Sequence, residues 1–310
     1  MIELQDLSKT YRSWAGSRTV PALDGVAVTI EAGEVAGIAG PNGAGKSTLI
    51  SILLGFLSPT GGTARIDGLV PRAYVERRGV GYLAELIAIP PRWTVEATLR
   101  RGAALAGVPE AARPSRIDDL LHRLGLADQR AKQARQLSKG NLQRLGLAQA
   151  LVSDADLIVL DEPTHGLDPV WTQRFRDVVR GLRRPGRTVV IASHNLDELE
   201  RLADRVLILN QGRLERVVAV GAAPEVAAGT APPPLVYRLA LAAPHPALPA
   251  TFPGAAPIAG RTAEWRVVGD LGELNRSLAA LLAAGATVRS FDAEESRLES
   301  EFRAAVGDAP

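Results

Sequence analysis

A two-domain α/β protein is what this chain of 310 residues predicts. Three observations carry that expectation. Short continuous apolar runs, such as 157–160 and 188–192, have the length and make-up of strands buried on both faces of a mostly parallel sheet. Segments of helical period alternate with such runs over the first two hundred residues. A proline-rich stretch then breaks the pattern: nine of the 21 prolines fall between Gly221 and Gly260, among them Pro232-Pro233-Pro234.

Taken in order, residues 26–30 and 34–39 read as strands and 46–54 as a helix. Residues 95–105, 115–124 and 142–151 read as helices with no strong strand among them, so a helical subdomain at about 86–151 is inserted into the α/β core. The runs at 157–160, 188–192 and 205–209 supply further core strands. Strand followed by helix, repeated, predicts a doubly wound sheet with helices on both faces, occupying residues 1–220. Residues 221–234 read as a linker, because clustered prolines supply neither regular helix nor central strand. In the remainder, 235–310, strands at 236–241, 265–268 and 287–291 and helices at 271–284 and 296–306 make a small α+β domain.

Composition excludes several classes of function. Lys and Arg total 36 against 34 Asp and Glu, too even a balance for a nucleic-acid binder. There is no cysteine, which removes disulfides, thiolate metal sites and cysteine nucleophiles. No run of about 18 apolar residues occurs, so the chain is not expected to cross a membrane by itself. The start, Met1-Ile2-Glu3-Leu4-Gln5-Asp6, is acidic and alternating, unlike a signal peptide. A soluble chain of cytoplasmic type is expected.

The strongest chemical signal is Gly40-Pro41-Asn42-Gly43-Ala44-Gly45-Lys46-Ser47, followed by Thr48. It satisfies G-x-x-x-x-G-K-[ST] in full, with an expected strand before it and a helix after it. In such a P-loop the glycines let backbone N–H groups turn inward around a polyphosphate, and the helix N-terminus adds its dipole. Lys46 reaches the β- and γ-phosphates and Ser47 ligates Mg²⁺. The competing reading, a plain glycine-rich turn, fails to explain eight matched positions in the right context. Downstream, the apolar run from Leu157 ends in Asp161-Glu162. A buried strand brings Asp161 beside the phosphate loop to hold Mg²⁺, while Glu162 points differently and can act as general base on a water. His194 ends another core strand, at the sheet edge where ligands bind in such folds. His122, His165 and His245 read as surface or satisfied residues.

These motifs, over roughly residues 1–220, resemble the nucleotide-binding subunits of ATP-binding cassette (ABC) transporters. The resemblance rests on several motifs in one order. Tyr11 stands where the family has an aromatic that stacks on adenine; Leu137-Ser138-Lys139-Gly140-Asn141 matches the signature loop; Leu157 to Asp161, with Glu162 behind, matches Walker B. Gly166-Leu167-Asp168-Pro169 matches the D-loop, and His194 the switch histidine. The resemblance implies ATP and Mg²⁺ as ligands, hydrolysis to ADP and phosphate, and a homodimer in which Ser138 and Gly140 close over ATP held by the second cassette subunit. It also implies membrane-spanning permease subunits as partners, no nucleic acid, and a peripheral place on the inner face of the cell membrane. Two motifs depart from the family pattern. Lys139 and Asn141 alter the signature, and Lys139 is either a solvated side chain or a phosphate contact. Glu85 stands at the Q-loop glutamine position, where a carboxylate can accept from water or bind Mg²⁺ but adds negative charge near the triphosphate.

Residues 89–94, with Trp93, are either a surface for the membrane partner or a loop with one packed tryptophan. The tail, with Gly285-Ala286-Thr287-Val288 and the segment starting at Ser296, resembles the end of cassettes serving drug, antibiotic and lipid-type exporters. The expectation is therefore the ATPase subunit of an exporter. Importer-type or non-transport cassettes, and a regulatory module that holds ATP without turnover, are the alternatives.

Overall fold

The computed structural model describes residues 1–12, 19–220, 235–293 and 297–306; the expected linker at 221–234 lies outside the described residues. Contacts divide the chain into two units, Met1–Ala222 with Leu298–Pro310, and Ala223–Arg297.

The first unit runs through β1 (Ile2–Arg12), β2 (Thr19–Ile30), β3 (Val35–Ala39), α1 (Lys46–Leu53), β4 (Gly61–Ile66), α2 (Pro71–Arg78) and β5 (Gly81–Leu83). The helical insertion follows as α3 (Val95–Leu105), α4 (Arg113–Arg123) and α5 (Lys139–Leu151). The chain then returns through β6 (Leu157–Asp161), α6 (Pro169–Leu182), β7 (Thr188–Ala192), α7 (Leu196–Leu202), β8 (Arg205–Asn210) and β9 (Arg213–Ala219). The central sheet has the order β5-β6-β7-β3-β8-β9, parallel except for the β8–β9 hairpin. Its strands alternate between two cores, as a period of two requires. Ile158 and Leu160 face the core shared with α3 to α7, whereas Leu157 and Val159 face the core shared with α1. A three-stranded antiparallel sheet, β2-β1-β4, joins α1 on that second face through Ile2, Leu4, Leu7 and Leu23. Of this sheet the sequence marks only residues 26–30 as a strand, and the antiparallel layer stands on a face where helices alone are expected.

Register sets the site. In the parallel ladder Asp161 lies opposite Ala192, and Ala192 opposite Ile38. The carboxyl ends of β3, β6 and β7 therefore finish level, and the residues following each meet at one edge, the edge that binds ligands in α/β sheets.

One element bound and one unit assignment correct the sequence reading. Helix α5 starts at Lys139 rather than 142, because the Ser138 side chain caps it by accepting from the Asn141 N–H at 3.2 Å. The signature residues Lys139 to Asn141 are thus its first turn. The last helix, expected in the tail domain, belongs with the first unit. There Leu298 is fully buried in the core that contains Val206 and Val218, Glu301 pairs with Arg216, and Asn210 Nδ2 donates to the Ala305 carbonyl at 3.5 Å.

The second unit holds β10 (Leu235–Leu241), α8 (Leu248–Thr251), β11 (Ala256–Pro257), β12 (Glu264–Gly269), α9 (Leu271–Ala283) and β13 (Val288–Ala293), after which the chain enters α10 (Arg297–Val306). Its sheet has the order β11-β12-β10-β13, antiparallel throughout. Strands β12 and β13, both antiparallel to β10, are parallel to each other and joined by α9. Leu239, Leu241, Val267, Leu274 and Leu281 form its core, beside a Tyr237–Phe291 stack at 4.8 Å. Among the described residues no helix is long and apolar enough to cross a membrane.

Candidate active site

A cavity of about 660 Å³ opens at the carboxyl edge of the central sheet, a size suited to a small-molecule ligand. Its walls are the whole segment from Gly40 to Thr48 (Gly40, Pro41, Asn42, Gly43, Ala44, Gly45, Lys46, Ser47, Thr48), with Glu85, Asp161, Glu162 and His194. Segments far apart in the chain meet here because β3, ending at Ala39, and β6, ending at Asp161, finish level.

The loop's shape depends on its glycines. Gly45 caps α1 at φ +105°, a conformation L side chains rarely adopt, and a Cβ there would lie 2.5 Å from the Ala22 carbonyl oxygen. Gly40 is equally confined, with the Leu209 carbonyl oxygen 2.4 Å from where a Cβ would be. Backbone N–H groups at the start of α1 have no side-chain cap, so they remain donors toward the cavity. Lys46 Nζ donates to the carbonyls of Gly40 at 2.6 Å and Pro41 at 3.1 Å, which centres its charge in the loop.

Opposite stand three carboxylates. Asp161 is buried, and its pKa is raised from 3.8 to about 6: loss of hydration is the largest cause, followed by the charges of Glu85 and Glu162, with Lys46 opposing. Negative charge thus exceeds positive in a poorly hydrated place, the balance that a divalent cation restores. Among the described residues no three His, Cys, Asp or Glu side chains could hold a metal alone. A Mg²⁺ fits instead as Mg²⁺ commonly binds, through one or two carboxylates, a hydroxyl and substrate phosphates. Ser47, Asp161 and Glu85 all line the cavity and are the residues available for it.

Glu162 follows Asp161 at φ +46°, in the left-handed region. The carboxylate is nearly buried and anchored. Oε1 accepts from the His194 N–H at 2.9 Å, Oε2 accepts from the Ser193 hydroxyl at 3.3 Å, and His194 Nδ1 lies 2.8 Å from Oε2. Ser193 was not anticipated from sequence, although its place between strand β7 and His194 marks it.

Other expected residues lie elsewhere. Tyr11 is half-exposed at the end of β1, outside the cavity wall, with its hydroxyl 3.4 Å from Thr48 Oγ1 and the Lys9 ammonium 5.7 Å from its ring. Ser138 and Gly140, at the start of α5, do not line the cavity. His165, read from sequence as an ordinary surface or satisfied residue, does line it. Its Nε2 lies 2.8 Å from Nζ of the exposed Lys139, whose side chain thus meets the loop after Walker B.

The sequence profile of the ABC transporter family matches residues 23–165. An uncharacterized ABC transporter ATP-binding protein of Nostoc sp. is 41% identical over 219 residues, 69% of this chain and 65% of the relative. The chain therefore spans just under two thirds of that relative's length. A methionine import ATP-binding protein of Caulobacter vibrioides is 39% identical over 233 residues, 73% of this chain and 68% of the relative. A lantibiotic transport ATP-binding protein of Streptococcus pyogenes is 36% identical over 217 residues, 69% of this chain and 89% of the relative. Among solved structures, an ATP-binding cassette captured as a dimer in a post-hydrolysis state with ADP and Pi superposes with a TM-score of 0.65 at 26% identity. That match covers 71% of this chain and 99% of the other.

Proposed function

We infer the function from one premise: the chain belongs to the ABC transporter family. On that premise it is an ATPase subunit that drives membrane-spanning permease subunits, to which it binds on the inner face of the cell membrane. The observation that carries this reading is the convergence of Lys46, Ser47, Asp161 and Glu162 on one cavity framed by a full P-loop.

The chemistry is hydrolysis of the β–γ phosphoanhydride of ATP. Lys46 and the loop amides hold the β- and γ-phosphates and neutralise the charge that develops on the transferring group. Ser47 and Asp161 hold Mg²⁺, with Glu85 near enough to share it or a bound water; the ion supplies charge neutralisation of the triphosphate. Glu162 takes the proton from the attacking water, and His194 and Ser193 fix its carboxylate at the cavity edge. His194, on the cavity wall, registers the γ-phosphate in this reading. Tyr11, beside Thr48, offers its ring to the adenine.

The position of Ser138 and Gly140 away from the cavity supports a homodimer in which each copy's signature turn closes over ATP held by the other. The dimeric form of the solved cassette agrees with it. ATP then bridges two subunits, and loss of the γ-phosphate releases them, a differential affinity that shifts the closed–open equilibrium.

For direction we propose export, on the likeness of the tail to exporter cassettes. Import is the second reading, favoured by the relatives named for methionine import. Uptake and efflux assays in vesicles carrying the permease partners separate the two. The ATPase itself is tested by phosphate release. The wild-type chain is expected to turn over Mg-ATP and Lys46→Ala to lose binding or turnover; a Lys46→Ala protein as active as wild type refutes the site.

A further inference from the structure

Glu162 sits in a left-handed conformation that residues with side chains avoid unless their surroundings hold them there. Part of the hold comes from β7: the Glu162 N–H donates to the Ala192 carbonyl at 2.9 Å, and residues 193 and 194 take its carboxylate. Another part comes from α5. Gln143, in that helix's second turn, is 5% exposed, and its Nε2 donates to the carbonyl of Glu162 at 3.2 Å and to that of Pro163 at 3.0 Å. Both amide hydrogens of one buried side chain are thus spent on the two peptide units that follow Glu162.

The same helix touches the same loop at a second place. Lys139 Nζ reaches His165, and the Lys139 methylenes cover Gly166, where an added Cβ would lie 2.9 Å from them. Gly140 also lies against this loop: a Cβ on it would meet the Gly166 carbonyl oxygen at 3.2 Å. The first two turns of α5 are therefore seated on residues 162–166, with Gln143 at the end nearest the catalytic carboxylate.

We propose that Gln143 is a positioning residue for hydrolysis, fixing the left-handed backbone of Glu162 and linking that general base to the signature turn at the start of the same helix. The proposal rests on Glu162 being the base. Since Ser138 caps the helix that carries Gln143, a shift of α5 when Ser138 engages ATP in the second copy moves the peptide carbonyls that Gln143 holds. Engagement of one nucleotide thereby sets the geometry of the base beside the other. Occupation of two buried carbonyls alone would make Gln143 a matter of stability only, and the two roles differ in what they do to the rate.

The test compares Gln143→Met, which keeps the volume and removes the donors, in the wild-type and Glu162→Gln backgrounds. Turnover of Mg-ATP, affinity for a fluorescent ATP analogue and the thermal midpoint are read on each protein. With Glu162 present, turnover is expected to fall about tenfold to a hundredfold, the scale of a base misplaced by about 1 Å, while nucleotide affinity stays within about threefold. With Glu162→Gln, the second substitution is expected to remove nothing further. Equal fold-losses in both backgrounds, or a folded Gln143→Met protein with wild-type turnover, overturn the proposal. A Glu162→Gln protein with wild-type turnover instead overturns the assignment of the base, and is recognised without Gln143 being touched. Gln143→Asn, which withdraws the same amide by one methylene, carries the same comparison where Gln143→Met does not fold.

Discussion

Asp161→Asn is expected to stabilise the nucleotide-free protein at neutral pH while abolishing its use of Mg-ATP. The magnitude follows from the site. Asp161 is buried beside Glu85 and Glu162, and its pKa rises from 3.8 to about 6. At about 1.36 kcal/mol per pH unit, holding the charged form in the folded state costs about 3 kcal/mol. The sign is fixed by the direction. Below about pH 4 the group is protonated whether the chain is folded or not, and the cost is absent. Between 3.8 and about 6 the unfolded chain releases the proton first, so stability falls as pH rises, and above that range the full cost is present. Asparagine keeps the shape and removes the charge, so the gain appears at pH 7.5 and vanishes near pH 4. For a unit of this size it corresponds to a rise in midpoint of roughly 6–12 °C. Differential scanning calorimetry of both proteins at the two pH values, with nucleotide and Mg²⁺ removed, measures it. Destabilisation at pH 7.5, or an equal shift at both pH values, refutes the reasoning. By the same logic Mg-ATP affinity of the wild type weakens as pH falls through about 6, because the metal needs the ionised carboxylate.

Tyr11→Ala is expected to weaken binding of a fluorescent ATP analogue about tenfold to a hundredfold, the scale of base–aromatic stacking, with Tyr11→Trp tolerated; equal affinities for wild type and Tyr11→Ala assign the ring to solvent. Leu298→Ala is expected to cost the first unit about 2–5 kcal/mol, because a fully buried leucine in its core is truncated; a change within about 0.5 kcal/mol by denaturant unfolding removes the last helix from that core.

Much of the site is legible in the sequence because its residues are adjacent in the chain. Gly40 to Thr48 form one loop, and Asp161-Glu162 end a strand whose unbroken apolar run declares burial on both faces. The long helices and the parallel strands announce themselves in the same way. What escapes is held by contacts across the chain. Gln143 is a polar residue in a helix, which reads as a surface position until β6 brings the Glu162 carbonyl to it. His165 and Lys139 are 26 residues apart and meet only because α5 packs on the loop after β6. Strand β4 is short and pairs with the distant β1, and β9 is exposed at all but two of its residues, so neither declares itself as a strand. The last helix has an amphipathic pattern but no mark of which core it serves, and it follows the tail in sequence while packing with the first unit.

The central claim, that ATP is hydrolysed in this cavity with Glu162 as base, is tested most directly by Glu162→Gln. The substitution keeps side-chain volume and leaves Lys46, Ser47 and Asp161 in place, so nucleotide binding is retained while proton acceptance is lost. Phosphate release and bound ATP are measured on the same samples of wild type and variant, followed by gel filtration with Mg-ATP. The account predicts ATP bound as in wild type, phosphate release lower by about 10²–10⁴-fold, and a dimer that accumulates because the bridging γ-phosphate persists. Phosphate released by Glu162→Gln at the wild-type rate contradicts it.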